Sequence, residues 1–213
     1  MSARYEDFLK EVTPYVPHVP EMLAVNAIRN AAIEFTDKSM IWQYEVDPIN
    51  TVYNQTEYTM PVPPGTGVAR IMNAWYNTMP LTPKGENDLA KMFLADWRSI
   101  QGNPFYITQR WPDVAIIVPA PIVAIEQGLN IIAALRPTRD SVGVDDFLYY
   151  RWAESIADGA KARLLAVPQQ PFTDQKMADY YRSQFASKIG LARAEANRGL
   201  TRATLTVRPP DVV

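Results

Sequence analysis

The sequence predicts an α+β fold in which N- and C-terminal helices form a bundle, an antiparallel β domain is inserted between them, and an extended arm ends the chain. Two changes of hydrophobic period support this prediction. Helix spacing gives way to short β-branched and aromatic runs near residue 42, and it returns near residue 145. A period-2 segment after Gly199 is the third observation. We therefore divide the chain into residues 1–41, 42–137, 138–199 and 200–213.

The N-terminal part is predicted to hold a short amphipathic segment and then a helix from Pro20 to about Met40. Proline suits the first turn of a helix, where its missing N–H would have no helical partner. Apolar residues recur along this helix at steps of three and four, as expected of a face that packs on a core. Since one helix cannot bury that face alone, we expect it to pack against the C-terminal helices.

The β domain is predicted from short apolar runs that proline and glycine separate. Strands are expected near residues 43–46, 57–62, 68–76, 105–109, 114–118 and 129–135, with a hairpin tip at Asn77-Thr78 and a short strand at 79–81. A helix over 86–93 interrupts them, with Leu89, Met92 and Phe93 as its buried side. Short loops in place of long crossover helices favour an antiparallel sheet over a parallel, Rossmann-type one.

Two helices are predicted to follow the β domain. Asp145 or Asp146 caps the first. Thr173 is predicted to be the N-cap of the second, with Phe172 before it as part of a hydrophobic staple. Gly199 stands where a C′ glycine belongs, so the second helix should span about 37 Å.

Composition excludes several kinds of chemistry. The chain has no cysteine and one histidine, His18, which excludes thiolate zinc sites, cysteine nucleophiles and multi-histidine metal sites. Glycine motifs for phosphate binding and nucleophile elbows are missing as well. Asp145 and Asp146 are adjacent acids that could act as a carboxylate pair, but acids before a helix are explained by capping. We therefore expect no catalytic residues, no metal and no cofactor, although a carboxylate-based hydrolase stays open.

The arm, residues 200–213, has the pattern of a single strand. Leu200 begins it, and Ala203, Leu205 and Val207 alternate with Arg202, Thr204, Thr206 and Arg208 before Pro209-Pro210. No hairpin partner lies next to it in the sequence. Two partners are open for such a strand: the sheet of the same chain, or the exposed sheet edge of a partner chain.

In the order of its parts the chain resembles the head-to-tail adaptor (connector) proteins of tailed bacteriophages, including the tail tubular and gatekeeper type. The phrases that carry this resemblance are LTPKGENDLAKMF and GNPFYITQ in the β region, DDFLYYRWAESIADGAKARLLAVP, and ARAEANRGLTRATLTVRP at the end of the last helix. It covers nearly the whole chain.

The resemblance implies a structural virion protein of the tail or neck, assembled in the host cytoplasm as a homomeric ring, commonly of twelve subunits. The arm would bind the portal protein through Leu200, Arg202, Ala203, Thr204, Leu205, Thr206, Val207 and Arg208, and the β domain would meet tail or nozzle proteins. Double-stranded DNA would pass through the ring. A net charge of −2 agrees with passage, because the chain offers little counterion-release affinity for phosphates.

Two other classes stay open beside this one. A carboxylate-based hydrolase would need Asp145 and Asp146 to converge with other acids in a pocket. A tail or baseplate adhesin or glycan-binding module would use the β domain and its tryptophans. The five tryptophans are scattered along the chain, however, which is more typical of core and interface anchors than of a carbohydrate platform. No apolar run approaches the length of a membrane span, so no membrane partner is expected.

Overall fold

The computed structural model describes residues 2–93 and 97–199, and within them the chain is a mixed α and β protein. In chain order the elements are β1 (Ser2–Arg4), a 3-10 helix (Tyr5–Glu11), α1 (Glu21–Ser39), β2 (Gln43–Thr51), β3 (Glu57–Thr59), β4 (Thr66–Tyr76), β5 (Met79–Pro80), β6 (Thr82–Pro83), α2 (Glu86–Phe93), β7 (Gln101–Gly102), β8 (Tyr106–Arg110), β9 (Val114–Val118), β10 (Ala120–Pro121), β11 (Ile125–Pro137), β12 (Gly143–Asp145), α3 (Asp146–Leu165) and α4 (Gln175–Arg198).

The larger sheet is antiparallel and has the strand order β2-β11-β4-β5. The long strand β11 lies at its centre, which its nearly continuous apolar sequence explains. Strand β2 forms one edge, and no other described strand pairs with its outer side. Its register against β11 shifts around Pro48, a residue that sheets tolerate at edges and bulges.

The second four-stranded sheet has the order β3-β9-β8-β6. Its pairs β3–β9 and β8–β9 are antiparallel, as predicted, whereas its two-residue pair β6–β8 is parallel. The strands β7 and β10 form a separate two-stranded parallel sheet. Helix α2 covers this sheet through Leu89, which packs with Trp97 and Ile116 in a small separate core. The prediction that Met92 is buried is wrong, since it lies at the end of the helix and is half-exposed.

The hairpin tip between β4 and β5 is the turn predicted at Asn77-Thr78. Both residues adopt left-handed φ angles, 43° and 75°. A two-residue loop with positive φ at both positions matches the twist of the flanking strands, so the pairing of Tyr76 with Met79 follows directly.

Helices α1, α3 and α4 pack on one another. Phe35 of α1 lies against Trp152 of α3 and Phe185 of α4, with ring centroids 5.4 and 6.2 Å apart. At the contact between α3 and α4, Gly159 leaves the space that the Phe185 ring occupies, because a Cβ there would stand 2.7 Å from the ring. Small residues at this point let two helices approach closely enough to bury a large aromatic side chain.

The main apolar core is shared by the helices and the larger sheet, and Ile107 and Ile117 of the second sheet also join it. One connected cluster includes Ile28 of α1, Ile131 and Leu135 of β11, Ile156 of α3 and Phe185 of α4. The sheet therefore buries its face on the helices, and neither layer has this core to itself.

Of the two predicted helix N-caps, the one for α3 is confirmed and the one for α4 is wrong. Asp145 is the N-cap of α3 and accepts a hydrogen bond from the Phe147 backbone N–H (3.1 Å), while Asp146 is the first helical residue. The prediction for Thr173 is wrong: Asp174 caps α4 and accepts from the Met177 N–H (3.0 Å).

The Thr173 hydroxyl is already used in the preceding loop. It donates to the carbonyl of Val167 and accepts from the N–H of Gln170, so it closes the turn that leads into α4. At the other end of α4, Gly199 has a φ of 64°, which confirms the predicted glycine stop.

Candidate interaction surfaces

One end of α4 is tied to its neighbours in a contact that we call the arm root, formed by Gln43, Arg151, Glu195, Ala196 and Gly199. The Gln43 side chain donates a hydrogen bond to the Ala196 carbonyl (3.0 Å), and Arg151 of α3 forms an ion pair with Glu195 (2.7 Å). These contacts link the last turn of α4 to the first residue of β2 and to α3. They fix the place from which residue 200 continues.

The predicted portal-binding residues themselves lie outside the described residues. They are Leu200, Arg202, Ala203, Thr204, Leu205, Thr206, Val207 and Arg208. The structure therefore describes the chain up to Gly199, the residue from which the arm continues.

The opposite end of the larger sheet presents what we call the distal surface, formed by residues 50–55, 77–79 and 122–128. Five apolar side chains stand out here, each 48–58 % exposed: Val52, Tyr53, Met79, Ile122 and Val123. Within these three segments Glu126 is the only charged residue. Depletion of charge, together with exposed aromatic, Met and branched apolar side chains, is typical of the central part of a protein–protein interface.

Hydrogen bonds hold the three segments of the distal surface to one another. The Asn54 N–H donates to the Pro121 carbonyl and the Asn77 N–H to the Gly128 carbonyl, both at 2.8 Å. The Gln127 N–H donates to the Asn50 side chain at 2.7 Å. The distal surface is therefore ordered before a partner binds, so less conformational entropy is lost on binding.

Backbone strain is concentrated at the same end of the sheet. Asn54, Asn77, Thr78 and Gln127 adopt left-handed φ angles of 43–75°, four of the seven non-glycine residues that do so in the described part of the chain. Such conformations persist only where neighbouring contacts enforce them, and they gather at functional surfaces.

The arm root and the distal surface lie at opposite ends of β2. The nine residues of this strand begin at Gln43 and end at Thr51, which separates the two regions by about 27 Å. The molecule therefore offers two unlike contact regions at its two ends.

Trp111 is the most exposed of the five tryptophans, at 74 %. It lies in the turn between β8 and β9, beside a groove of about 710 Å³ that runs between this turn, α1 and the end of β11. The groove has a mixed lining, in which Asp37 and Arg136 form an ion pair (3.3 Å) and Arg139 and Asp140 supply further charges.

A cluster of charges is buried between α3 and α4. Asp158 accepts from Lys161 (3.3 Å) and Lys188 (2.9 Å), and Lys188 also reaches Glu154 (3.4 Å). Asp158 and Lys161 are both about 5 % exposed. The Lys161 ammonium also lies 4.1 Å from the ring centroid of Tyr15, which attaches the segment before α1 to α3.

The contacts around Lys188 determine its charge. Burial alone would lower the pKa of Lys188, but the hydrogen bond and negative charge of Asp158, with Glu154 beside them, outweigh burial and raise the pKa above its ordinary value. Lys188 is therefore charged throughout the neutral range, and the cluster stabilises the α3–α4 contact. This charge cluster was not predicted from the sequence, although the position of Asp158 and Lys161 among the apolar residues Ile156, Ala157 and Ala160 indicates it.

The residues considered for catalysis do not converge. Asp145 is used as a helix cap, and His18 is an exposed turn residue with φ 63° that has no hydrogen-bond partner among the described residues. In residues 2–93 and 97–199, no group of three or more His, Cys, Asp or Glu side chains is arranged to hold a metal ion. The turn before α1 exposes His18 at the surface.

None of the helices in the described ranges has both the length and the apolar character that crossing a membrane requires. Compared with known proteins, the sequence matches no protein-family model and no curated protein.

Proposed function

We propose that this protein is a head-to-tail adaptor of a tailed bacteriophage: a homomeric ring, commonly of twelve subunits, that joins the portal to the tail in the virion neck. The observation that carries the proposal is the placement of two unlike contact regions at opposite ends of one sheet. An adaptor must bind one structure above it and a different one below it. In this proposal residues 200–213 continue from the arm root and bind the portal, and the distal surface binds tail or nozzle proteins.

The proposal includes the layout expected from the sequence. Residues 1–41 and 138–199 supply the helical bundle, 42–137 the inserted β domain and 200–213 the arm. The mutual packing of α1, α3 and α4 supports this layout, because it brings the first and last parts of the chain together. The distal surface belongs to the inserted part, the one that the adaptor role assigns to the tail.

The charge balance suits a ring through which DNA moves. With 21 basic and 23 acidic residues, the chain lacks the excess of Lys and Arg that would hold duplex phosphates through counterion release. Double-stranded DNA would therefore pass through the ring without being bound through its phosphates.

The test uses charge on the distal surface. Tyr53→Glu combined with Val123→Glu should leave the melting temperature and portal docking unchanged but abolish tail attachment, because charges at the centre of an apolar interface are not solvated. Val142→Glu is the matched control, since Val142 is 77 % exposed and lies away from the distal surface. Assembly would be followed by electron microscopy of particles made with each variant. Normal tails on the double variant would overturn the assignment of this surface.

Glycan binding is the second candidate, and Trp111 is the observation that favours it. An exposed indole beside a groove that carries charged side chains can stack on a sugar ring. Trp111→Ala should then abolish binding on a glycan array, with an unchanged melting temperature as the check on folding. If neither the natural chain nor the variant binds any glycan, this candidate is rejected.

A further inference from the structure

The outer edge of β2 is an unoccupied site for an added strand. β2 pairs with β11 on one side, and among the described residues no strand hydrogen-bonds to its other side. Residues 43–47 precede Pro48, so no proline interrupts this part of the edge, where the backbone N–H and carbonyl groups of every second residue face outward. The side chain of Gln43, the first residue of this run, is bonded to Ala196 at the end of α4. The arm therefore starts beside the edge.

The two faces of β2 match the two faces of the arm. On β2, Tyr44 and Val46 point toward the core while Gln43, Glu45 and Asp47 are exposed. In the arm, the apolar residues Ala203, Leu205 and Val207 alternate with Arg202, Thr204, Thr206 and Arg208. A strand laid along β2 with its apolar side inward would extend both faces of the sheet without a mismatch.

Charge and length agree with this fit. The exposed face of the edge carries two acids, Glu45 and Asp47, and the polar face of the arm carries two arginines and no acid before Asp211. Diagonal neighbours on adjacent strands are within reach of such long side chains. Seven residues from Arg202 to Arg208 cover about 20 Å, enough to follow residues 43–47 before prolines interrupt both strands.

We propose that residues 202–208 pair in parallel with the outer edge of β2 of the same chain before assembly, as a fifth strand of the larger sheet. The direction is parallel because both segments start at the arm root and run toward the distal surface. A partner's sheet edge must then displace β2 to bind the arm. The pairing itself does not depend on the adaptor role.

Hydrogen–deuterium exchange tests the pairing in the free protein. We compare the full chain with the chain ending at residue 199. Tyr44 and Val46 already bond to β11, so within residues 44–47 the backbone amides of Glu45 and Asp47 should exchange roughly tenfold or more slowly in the full chain. The amides of residues 129–135 in the central strand β11 should exchange at the same rate in both chains. Equal exchange at residues 44–47 would overturn the proposal.

Engineered disulfides test whether the pairing lies within one chain. Because the chain has no cysteine, Glu45→Cys with Thr204→Cys or Thr206→Cys introduces the only two thiols. Mild oxidation should give a cross-linked monomer for at least one pair, whereas Glu126→Cys with Thr204→Cys, at the far end of the sheet, should stay reduced. Cross-linked dimers would show that the edge binds the arm of a second copy, and absence of any cross-link would show that it binds no arm. Either result overturns the proposal.

Discussion

Asp158 accepts hydrogen bonds from two lysines in a region that water barely reaches. Asp158→Ala should lower the free energy of unfolding by about 3–5 kcal/mol, because it leaves the buried Lys161 without its carboxylate. Urea unfolding measures the change. Asp179→Ala is the control: the Asp179–Arg182 pair has the same spacing on α4 but is exposed, so its loss should cost about 1 kcal/mol or less. Equal losses of unfolding free energy in the two variants would mean that burial does not determine how much the Asp158 cluster stabilises the fold.

Glu34 connects α1 to α3 by an ion pair with Arg163 and also binds Lys38. Burial acts to raise the pKa of Glu34, but the two cations outweigh it and hold the pKa below its ordinary value of 4.5. A lowered carboxyl pKa stabilises the fold above pH 4.5, and this contribution is lost as the pH falls through the lowered value.

Glu34→Gln should therefore reduce stability at pH 7 by up to about 1 kcal/mol, since the pair is one-third exposed. The difference from the natural chain should shrink as the pH falls, because protonation removes the same charge. Urea unfolding at a series of pH values measures it. Glu126→Gln, whose carboxylate has no ion pair among the described residues, is the control. A stability difference between Glu34→Gln and the natural chain that does not change with pH would contradict the assignment of this contribution to the Glu34 carboxylate.

At the scale of elements, the α3–α4 contact depends on Gly159. Gly159→Ala should cost about 1–3 kcal/mol, because the added Cβ would overlap the buried Phe185 ring. Gly190→Ala on the facing helix α4 meets no atom within 4 Å and should instead add about 0.5–1 kcal/mol through helix propensity. Thermal unfolding of the two variants measures the contrast, and stabilisation by both would show that the helices can move apart freely.

The elements that sequence reasoning predicted are those whose signal is local. Helix α2 begins and ends at the predicted residues, and β9 does too, because periodicity and turn residues lie within the segment itself. β1 was missed: it has three residues and exists only because it pairs with β12 far along the chain. The cap of α4 was misplaced by one residue, since two neighbouring side chains compete for the role and the loop takes Thr173.

The contact regions were less predictable than the elements. Tyr53, Met79 and Val123 lie in three separate segments of the sequence, and only strand pairing places them on one distal surface. The arm stays a prediction, because residues 200–213 lie outside the described part of the chain. Its alternation predicts a strand without showing which edge the strand meets.

At the scale of the molecule, the helices and the larger sheet share one core, so we expect them to unfold together. Far-UV circular dichroism and tryptophan fluorescence should give coincident urea transitions. Residues 42–137 produced alone should fail to fold cooperatively, because the face of β11 that packs on α1 would be exposed. Two separate transitions, or a folded fragment, would contradict this expectation.

The pairing of the first and last thirds of the chain also has a consequence on the ribosome. Helix α1 emerges early, but the helices that cover its apolar face come after residue 145. At about 5–20 residues per second, the roughly 100 intervening residues take about 5–20 s to synthesise. During that interval the apolar face of α1 is uncovered in the nascent chain. Exposed apolar segments of this kind are bound by chaperones. The order in which the parts are translated therefore makes the yield of native protein sensitive to chaperone supply and to elongation rate.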